Sequence, residues 1–324
     1  MSFRILRFEM SQMSNKDRNI ANKITVKPFL KWAGGKRQLL EKFGEIYPEE
    51  LKNSGIDNYY EPFVGGGAVF FDIIQKYNIK KAFLFDINVE LILIYKVIRE
   101  DVDGVIDYLS QYEQIYLPLD SNDRKEFYYD IRETFNRDRF DINYKKYSNN
   151  WIPRAAQAIF LNKTCYNGLF RFNNGGGFNT PSGIYKNPKI CDKANLKGAS
   201  ELLQIAEIKC ATFKTVGENI TKRSFVYFDP PYRPISKTSN FTSYSRYSFT
   251  DKDQRELATL YRKLDKNGCK LMLSNSDPQN TNSKDTFFEE IYQGYTIKKI
   301  PARRAINSKA TGRGAINEII VTNY

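Results

Sequence analysis

The residues best suited to chemistry are Asp229-Pro230-Pro231-Tyr232, which end the apolar run 225–228. The carboxylate of Asp229 can accept a hydrogen bond from an amino group. Pro230 has no N–H, and its carbonyl can accept a second. Two acceptors aimed at one exocyclic amine turn its lone pair toward an electrophile, while the Tyr232 ring can stack on a planar base. The bland alternative is a rigid turn with a capping Asp. No strong base is needed, which matters because the chain contains no histidine. That excludes a Ser-His-Asp triad, a Cys-His pair and every His-ligated metal site. The four cysteines, Cys165, Cys191, Cys210 and Cys269, lack metal-ligand spacing. We therefore expect no metal site, no disulfide framework and a reducing compartment.

Two glycine motifs precede this turn. In 59–70 an apolar strand runs into Phe63-Val64-Gly65-Gly66-Gly67 and then a helix, and Asp86 follows 19 residues after Gly67 at the end of the next strand. That spacing puts a carboxylate where a ribose hydroxyl lies in nucleotide-binding α/β folds. A plain tight turn would carry the same glycines. Phe70 stands where the dinucleotide fingerprint has its third glycine, which argues against a nicotinamide cofactor. In 29–40, Trp32-Ala33-Gly34-Gly35-Lys36 offers free N–H groups and a cation to an anionic group such as a carboxylate. Arg37 follows the lysine, so this is not a Walker loop. Trp32 is equally suited to the core at a helix entry.

Such residues need strand ends to hold them. Apolar runs predict strands at 57–61, 82–86, 225–229, 270–274 and 318–323. Helical patterns lie at 36–43, 68–76, 89–99, 125–136, 154–161, 196–207 and 251–266. Strand-helix alternation at both ends implies a mostly parallel α/β sheet. From about 100 to 195 the chain is helical and then rich in Gly and Asn, with Asn173-Asn174-Gly175 between aromatic runs as a hairpin signal. This reads as an insertion into the sheet domain. Residues 298–313 read as a loop before the last strand, either tracking phosphates or solvated. Residues 1–22 read as a tail, with Met10 or Met13 as alternative starts and no signal-peptide pattern.

With 324 residues, 41% of them hydrophobic and 27% charged, the composition is that of a folded soluble protein, and no apolar run has membrane-span length. The net charge of +13 is localised. Residues 142–191 carry seven basic residues and no acid, and residues 291–317 carry six and no acid, which accounts for the excess. Two such blocks suggest a polyanion surface, unless they arise by chance.

The three motifs, in the order FLKWAGGK, EPFVGGG, insertion, DPPY, resemble the alpha group (D12 class) of Dam-type N6-adenine DNA methyltransferases, most of all the GATC-recognising members, over residues 27–324. The resemblance implies a Rossmann-like α/β sheet that uses S-adenosyl-L-methionine, with an inserted, mostly helical target-recognition domain carrying a β-hairpin. It implies catalytic segments at 23–99 and 196–324 and a recognition segment at 100–195. Trp32, Lys36, Phe63, Gly65, Asp86 and Asp229 would contact the cofactor. Asp229, Pro230 and Tyr232 would hold a flipped adenine. Arg171 would read guanine with its two-donor fork, Tyr166 would fill space near the vacated base, Asn167 would contact phosphate, and Pro181 and Tyr185 would be further DNA contacts. Ile184 stands where many family members have Arg. Tyr166 and Tyr185 are also suited to packing, and Arg171 to neutralising phosphate. The implied partner is double-stranded DNA, with a separately encoded restriction endonuclease compatible, no membrane, a monomer or weak dimer, and a cytoplasmic, nucleoid-associated setting. Methylation of RNA adenine or of cytosine N4 remains open as an alternative, as does a catalytically silent DNA-binding module.

Overall fold

The computed structural model describes residues 25–233, 249–303 and 315–324. The expected tail at 1–22 and the basic residues Arg304, Lys309 and Arg313 lie outside them. In chain order the strands are β1 (Asn58–Glu61), β2 (Lys81–Asp86), β3 (Ala206–Cys210), β4 (Val216–Asn219), β5 (Ser224–Phe228), β6 (Lys270–Ser276), β7 (Thr296–Arg303) and β8 (Ala315–Thr322).

Alternate residues of each apolar run enter opposite layers. Tyr59, Leu84, Phe225, Tyr227 and Met272 join one buried cluster, and Tyr60, Phe83, Val226, Phe228 and Leu273 join the other. A strand buried on both faces belongs in a parallel sheet covered by helices on both sides. The sheet has seven strands in the order β3-β2-β1-β5-β6-β8-β7. The pairs β3–β2, β2–β1, β1–β5 and β5–β6 are parallel, whereas β8 runs antiparallel to both β6 and β7. The fold is therefore Rossmann-like. The chain leaves β1 for β2 and β3 on one side and returns to β5 and β6 on the other. The carboxyl ends of β1 and β5 thus flank a topological switch point, where ligands bind in open α/β sheets.

Helices α1 (Leu40–Ile46), α2 (Ala68–Lys76) and α3 (Val89–Glu100) cover the first layer. Asn88 caps α3 by accepting from the N–H groups of Glu90 and Leu91. Between β2 and β3 lie α4 (Val102–Tyr116), α5 (Ser121–Asp138), α6 (Trp151–Thr164) and α7 (Lys193–Leu203). Their apolar faces continue the first layer, so the helical insertion and the sheet share one cluster. Helix α8 (Asp251–Lys266), started by a Thr250/Asp253 capping box, covers the second layer through Leu257, Tyr261 and Leu264.

Three expectations differ from the structure. The helix expected over 196–207 is α7, which stops at Leu203, and Ala206–Cys210 is strand β3. Its alternation, Ala206 and Ile208 buried, is two residues long and merges with the preceding helical pattern. Residues from Lys298 to Arg303 are not loop but belong to β7, an edge strand. Pro301 and exposed lysines suggest a loop in sequence, yet an outer edge tolerates both. The expected hairpin is a loop closed by two isolated bridges, Cys165↔Ser182 and Phe172↔Phe178, with a turn in which Asn173 N donates to Gly177 O at 2.8 Å.

Helix α6 is tied to α3 by a buried ion pair. Arg154 Nε donates to Glu90 Oε2 at 2.9 Å, Nη2 pairs with Oε1, and Nη1 donates to Phe135 O at 2.9 Å. Tyr144 OH donates to Glu90 Oε1 at 2.5 Å. Arg154, one of the seven basic residues of the first block, is therefore internal and faces no phosphate. We predict that Arg154→Met strands Glu90 without its cation and lowers unfolding stability by about 3–5 kcal/mol. The Glu90→Leu/Arg154→Met double variant should lose clearly less in urea unfolding. A double variant as unstable as the sum of the singles would refute this account.

Candidate active site

The glycine turn leaves the carboxyl end of β1 and enters α2. Gly65 and Gly67 have φ of 46° and 68°, where side chains are strained. The room that the missing side chains leave is filled from within the chain. A Cβ at Gly65 would lie 2.6 Å from Trp32 Nε1, and one at Gly67 would lie 2.4 Å from Tyr95 OH. Trp32 thus lies against the turn, half-buried, and its ring is 5.9 Å from that of Phe170. Asp86, at the end of β2, braces the same turn. Its Oδ2 accepts from Gly65 N at 3.2 Å and its Oδ1 from Asn88 N at 2.9 Å. Burial pushes its carboxyl above the usual range, against the pull of those N–H groups. Phe63 stacks on Phe213 at 5.6 Å and meets Phe249 edge-on at 5.7 Å, which forms an aromatic wall.

Across the switch point, Asp229 follows β5. Lys36, 2% exposed, places Nζ 2.7 Å from Asp229 Oδ1, 3.0 Å from Tyr232 OH and 3.0 Å from Gly34 O. Its ammonium lies 4.8 Å from the centre of the Tyr232 ring. Tyr232 OH donates to Glu318 Oε1 on β8 at 2.7 Å. Ser274 Oγ, on β6, donates to Asp229 Oδ1 at 3.2 Å and contacts Tyr227 OH at 2.7 Å. Below them, Glu61 is buried and accepts from Tyr59 OH at 2.8 Å. Pro230 is buried, and the Pro231 carbonyl accepts from Gln254 Nε2 at 3.2 Å, which steadies the turn.

Electrostatics follow from this crowding. Burial alone would depress the Lys36 ammonium, but Asp229, Tyr232 and Glu318 raise it above the ordinary lysine value. Burial raises the carboxyls of Asp229 and Glu318, and Lys36 opposes the rise in both. Burial also raises Glu61 well above the usual carboxylate range, against the opposing pull of the Tyr59 hydroxyl and of Lys36. Asp229 still has a side-chain exposure of 22%. The site is a carboxylate held by a buried cation, beside a phenol whose ring and hydroxyl are both fixed. It offers acceptors, not a strong base.

The insertion residues lie apart from this cluster, on the loop after α6. Tyr166 is 54% exposed and Asn167, also exposed, has a φ of 54°. Tyr166 N donates to Pro181 O at 2.8 Å, and Tyr185 OH to Cys165 O at 3.1 Å. Arg171 Nε donates to Asn179 Oδ1 at 2.9 Å. Buried Asn162 joins the loop to the Trp32 segment. Its Oδ1 accepts from Lys31 N at 2.7 Å, and its Nδ2 donates to Lys31 O at 2.9 Å and to Gly168 O at 3.1 Å. Lys31 Nζ sits 3.9 Å from the Tyr185 ring centre. Glu318, Ser274 and Asn162 are the site residues that the motifs did not flag, and Glu61 stands in EPFVGGG without a role assigned to it. The signals were an acid inside an apolar strand for Glu318 and an acid ending β1 for Glu61; Ser274 and Asn162 carry none.

The model of the D12 class N6 adenine-specific DNA methyltransferases matches residues 32–306. The chain is 53% identical over 300 residues to the type II methyltransferase M.MjaIII of Methanocaldococcus jannaschii, covering 92% of this chain and 99% of that protein. It is 38% identical over 305 residues to the type II methyltransferase M1.LlaDCHI of Lactococcus lactis, with 94% and 97% covered. It is 33% identical over 293 residues to a DNA adenine methylase of Vibrio cholerae, with 90% and 94% covered.

Because the Lys36 cation opposes the burial-driven rise of the Asp229 carboxyl, Lys36→Met should move the titration of Asp229 to higher pH, and Lys36→Arg should move it less. Carboxyl carbon NMR of labelled aspartate, with Asp229→Asn for assignment, measures this. An unmoved titration in Lys36→Met would sink the assigned pairing.

Proposed function

The chain belongs to the D12 class of N6 adenine-specific DNA methyltransferases, and from that premise we propose that it transfers the methyl group of S-adenosyl-L-methionine to N6 of an adenine flipped out of duplex DNA, within GATC. The observation that carries the proposal is the meeting of Asp229, Tyr232 and Lys36 at the end of β5, beside the Gly65 turn and Asp86. When bound, S-adenosyl-L-methionine supplies an electrophilic methyl group. The residues fit it: Asp86 is an acceptor for ribose hydroxyls, Phe63 with its aromatic neighbours is a wall for a planar base, and Trp32 packs on Gly65 at the turn that Asp86 braces, with Lys36 following in the same segment.

The chain's own part is orientation. The Asp229 carboxylate and the Pro230 carbonyl take the two N–H bonds of the target amine, which pulls its lone pair out of conjugation with the ring. Tyr232 stacks on the adenine and holds its plane. The extra proton on N6 passes to solvent water after the transfer, so no histidine is required. Such positioning and preorganised charge supply most of a rate enhancement of this kind.

Recognition falls to the insertion, the target-recognition segment 100–195 between catalytic segments 23–99 and 196–324. Tyr166 fills the space near the vacated base, Asn167 contacts phosphate, and Pro181 and Tyr185 border the DNA. Asn179 engages Nε of Arg171, which leaves the terminal nitrogens for O6 and N7 of guanine. Two relatives carry type II names, which supports a separately encoded restriction endonuclease as partner. No described helix is long and apolar enough to cross a membrane, and the proposed setting is the cytoplasm.

Modified-base sequencing after expression in a methylation-deficient host should reveal N6-methyladenine in GATC; N4-methylcytosine or another motif would overturn the assignment. Asp229→Ala should abolish the mark. Arg171→Ala should cost about 1–3 kcal/mol of discrimination at the guanine, roughly fivefold to 150-fold, and relax sequence choice there. Neutralising exposed Lys186 should instead weaken binding on every sequence and flatten its salt dependence. Identical behaviour of the two variants on cognate and non-cognate duplexes would refute this division of roles.

A further inference from the structure

Glu318 lies on β8, the strand inside the antiparallel edge of the sheet, opposite Ser276 on β6 and Ile300 on β7. It shares a side of its strand with Ile320, whose side chain belongs to the first apolar layer. A carboxylate there is expensive unless it is paired. Its pairing is incomplete. Oε1 accepts from Tyr232 OH at 2.7 Å, while buried Oε2 makes no hydrogen bond among the described residues and stands 3.8 Å from Lys36 Nζ. A buried, half-satisfied acid in a site calls for an explanation.

The hydrogen bonds have a fixed direction. Lys36 has only donors, so Tyr232 OH must accept from it. The hydroxyl proton is then committed to Glu318. The tyrosine is thereby held at its far end by a cation on one side and an anion on the other. Glu318 therefore sets the tilt of the ring on which a base would stack. The ammonium has a second use for it. Lys36 now rests on Asp229 Oδ1 at 2.7 Å, on the carboxylate that a target amine would approach. If Asp229 turns to that amine, Lys36 must keep a counter-ion, and the unbonded Oε2 is the nearest carboxylate oxygen.

We infer that Glu318 is a positioning residue of this site, fixing the Tyr232 hydroxyl and serving as alternate counter-ion of Lys36 so that Asp229 is released to the amine. The inference rests on the methyl-transfer reading above, and the test keeps the two apart. The full-length wild type is assayed first on a GATC duplex with labelled S-adenosyl-L-methionine. A wild type that labels no DNA overturns that reading and this one together. With an active wild type, Glu318→Gln, Tyr232→Phe and the double variant are compared.

Glu318→Gln should lower kcat by about tenfold or more, with KM for DNA and cofactor changed by less than about threefold. It should also move the acidic limb of kcat to lower pH, because one negative charge facing Asp229 is gone. A purely structural role would lower the melting temperature without moving that limb. In the Tyr232→Phe background, Glu318→Gln should cost much less than it does alone, since the shared hydrogen bond is already absent. Wild-type kcat in Glu318→Gln, an unmoved limb, or losses that multiply without coupling would each overturn the proposal. If Glu318→Gln does not fold, Tyr232→Phe severs the same bond and decides alone: lowered kcat supports the proposal, and unchanged kcat overturns it.

Discussion

The Lys36 ammonium is the interaction on which the site depends. It is a buried cation with three donor contacts: the Gly34 carbonyl of its own segment and, across the switch point, the Asp229 carboxylate and the Tyr232 hydroxyl at the two ends of one turn. Glu318 on β8 completes the ring at one remove. Burying one unpaired charge would be costly, but here opposite charges are buried together and each relieves the other. Without Lys36, the burial of Asp229 and Glu318 would drive both carboxyls toward protonation. A protonated Asp229 is a poorer acceptor for an amine. The same cation thus fixes geometry and keeps the acceptor charged.

This arrangement is possible because of the strand order. The reversal at β1 and β5 leaves two strand ends side by side with their following loops diverging. The glycine turn goes one way, braced by Asp86, and the Asp229 turn goes the other. A second tie carries the insertion. Asn162 at the end of α6 bonds both main-chain polar groups of Lys31 and the carbonyl of Gly168. The Trp32–Lys36 segment is therefore held by the loop after α6 on one side and the Asp229–Tyr232 turn on the other. The charge distribution also sharpens. Arg154 serves inside the fold, and Lys299 pairs with Asp277 at 3.1 Å. Lysines such as Lys145, Lys146 and Lys186, exposed in the first block, remain suited to a polyanion.

Much of this was legible in the sequence, for identifiable reasons. The central strands announce themselves because residues such as Phe225–Phe228 must be apolar on both faces. The motifs announce themselves because Gly67 at positive φ and the two prolines after Asp229 are locally unusual. Strands β3 and β7 did not, since an edge strand is half solvated and Pro301 is tolerated there. Glu318 did not either. Its partner Tyr232 is 86 residues away in the chain, and only the antiparallel return of β8 beside β6 brings the two together. An acid inside an apolar strand is visible locally, but the partner that gives it meaning is set by a distant register. Local pattern also does not show that Trp32 and Tyr95 occupy the room beside the glycines of the turn.

The absence of histidine and the density of fixed hydrogen bonds belong to one constraint. A site without a strong base must act through placement, and placement demands that each group be held. Each acceptor is accordingly held by a donor from a different element: Asp229 by Lys36 and Ser274, Asp86 by Gly65 and Asn88, Glu318 by Tyr232. Such a cluster is costly in its own right, because several carboxyls are raised by burial. The stability that offsets this cost comes from the two apolar layers on either face of the sheet. The division of labour follows directly. Apolar strand interiors hold the frame, and strand ends, where the apolar pattern stops, carry the charge that the chemistry uses.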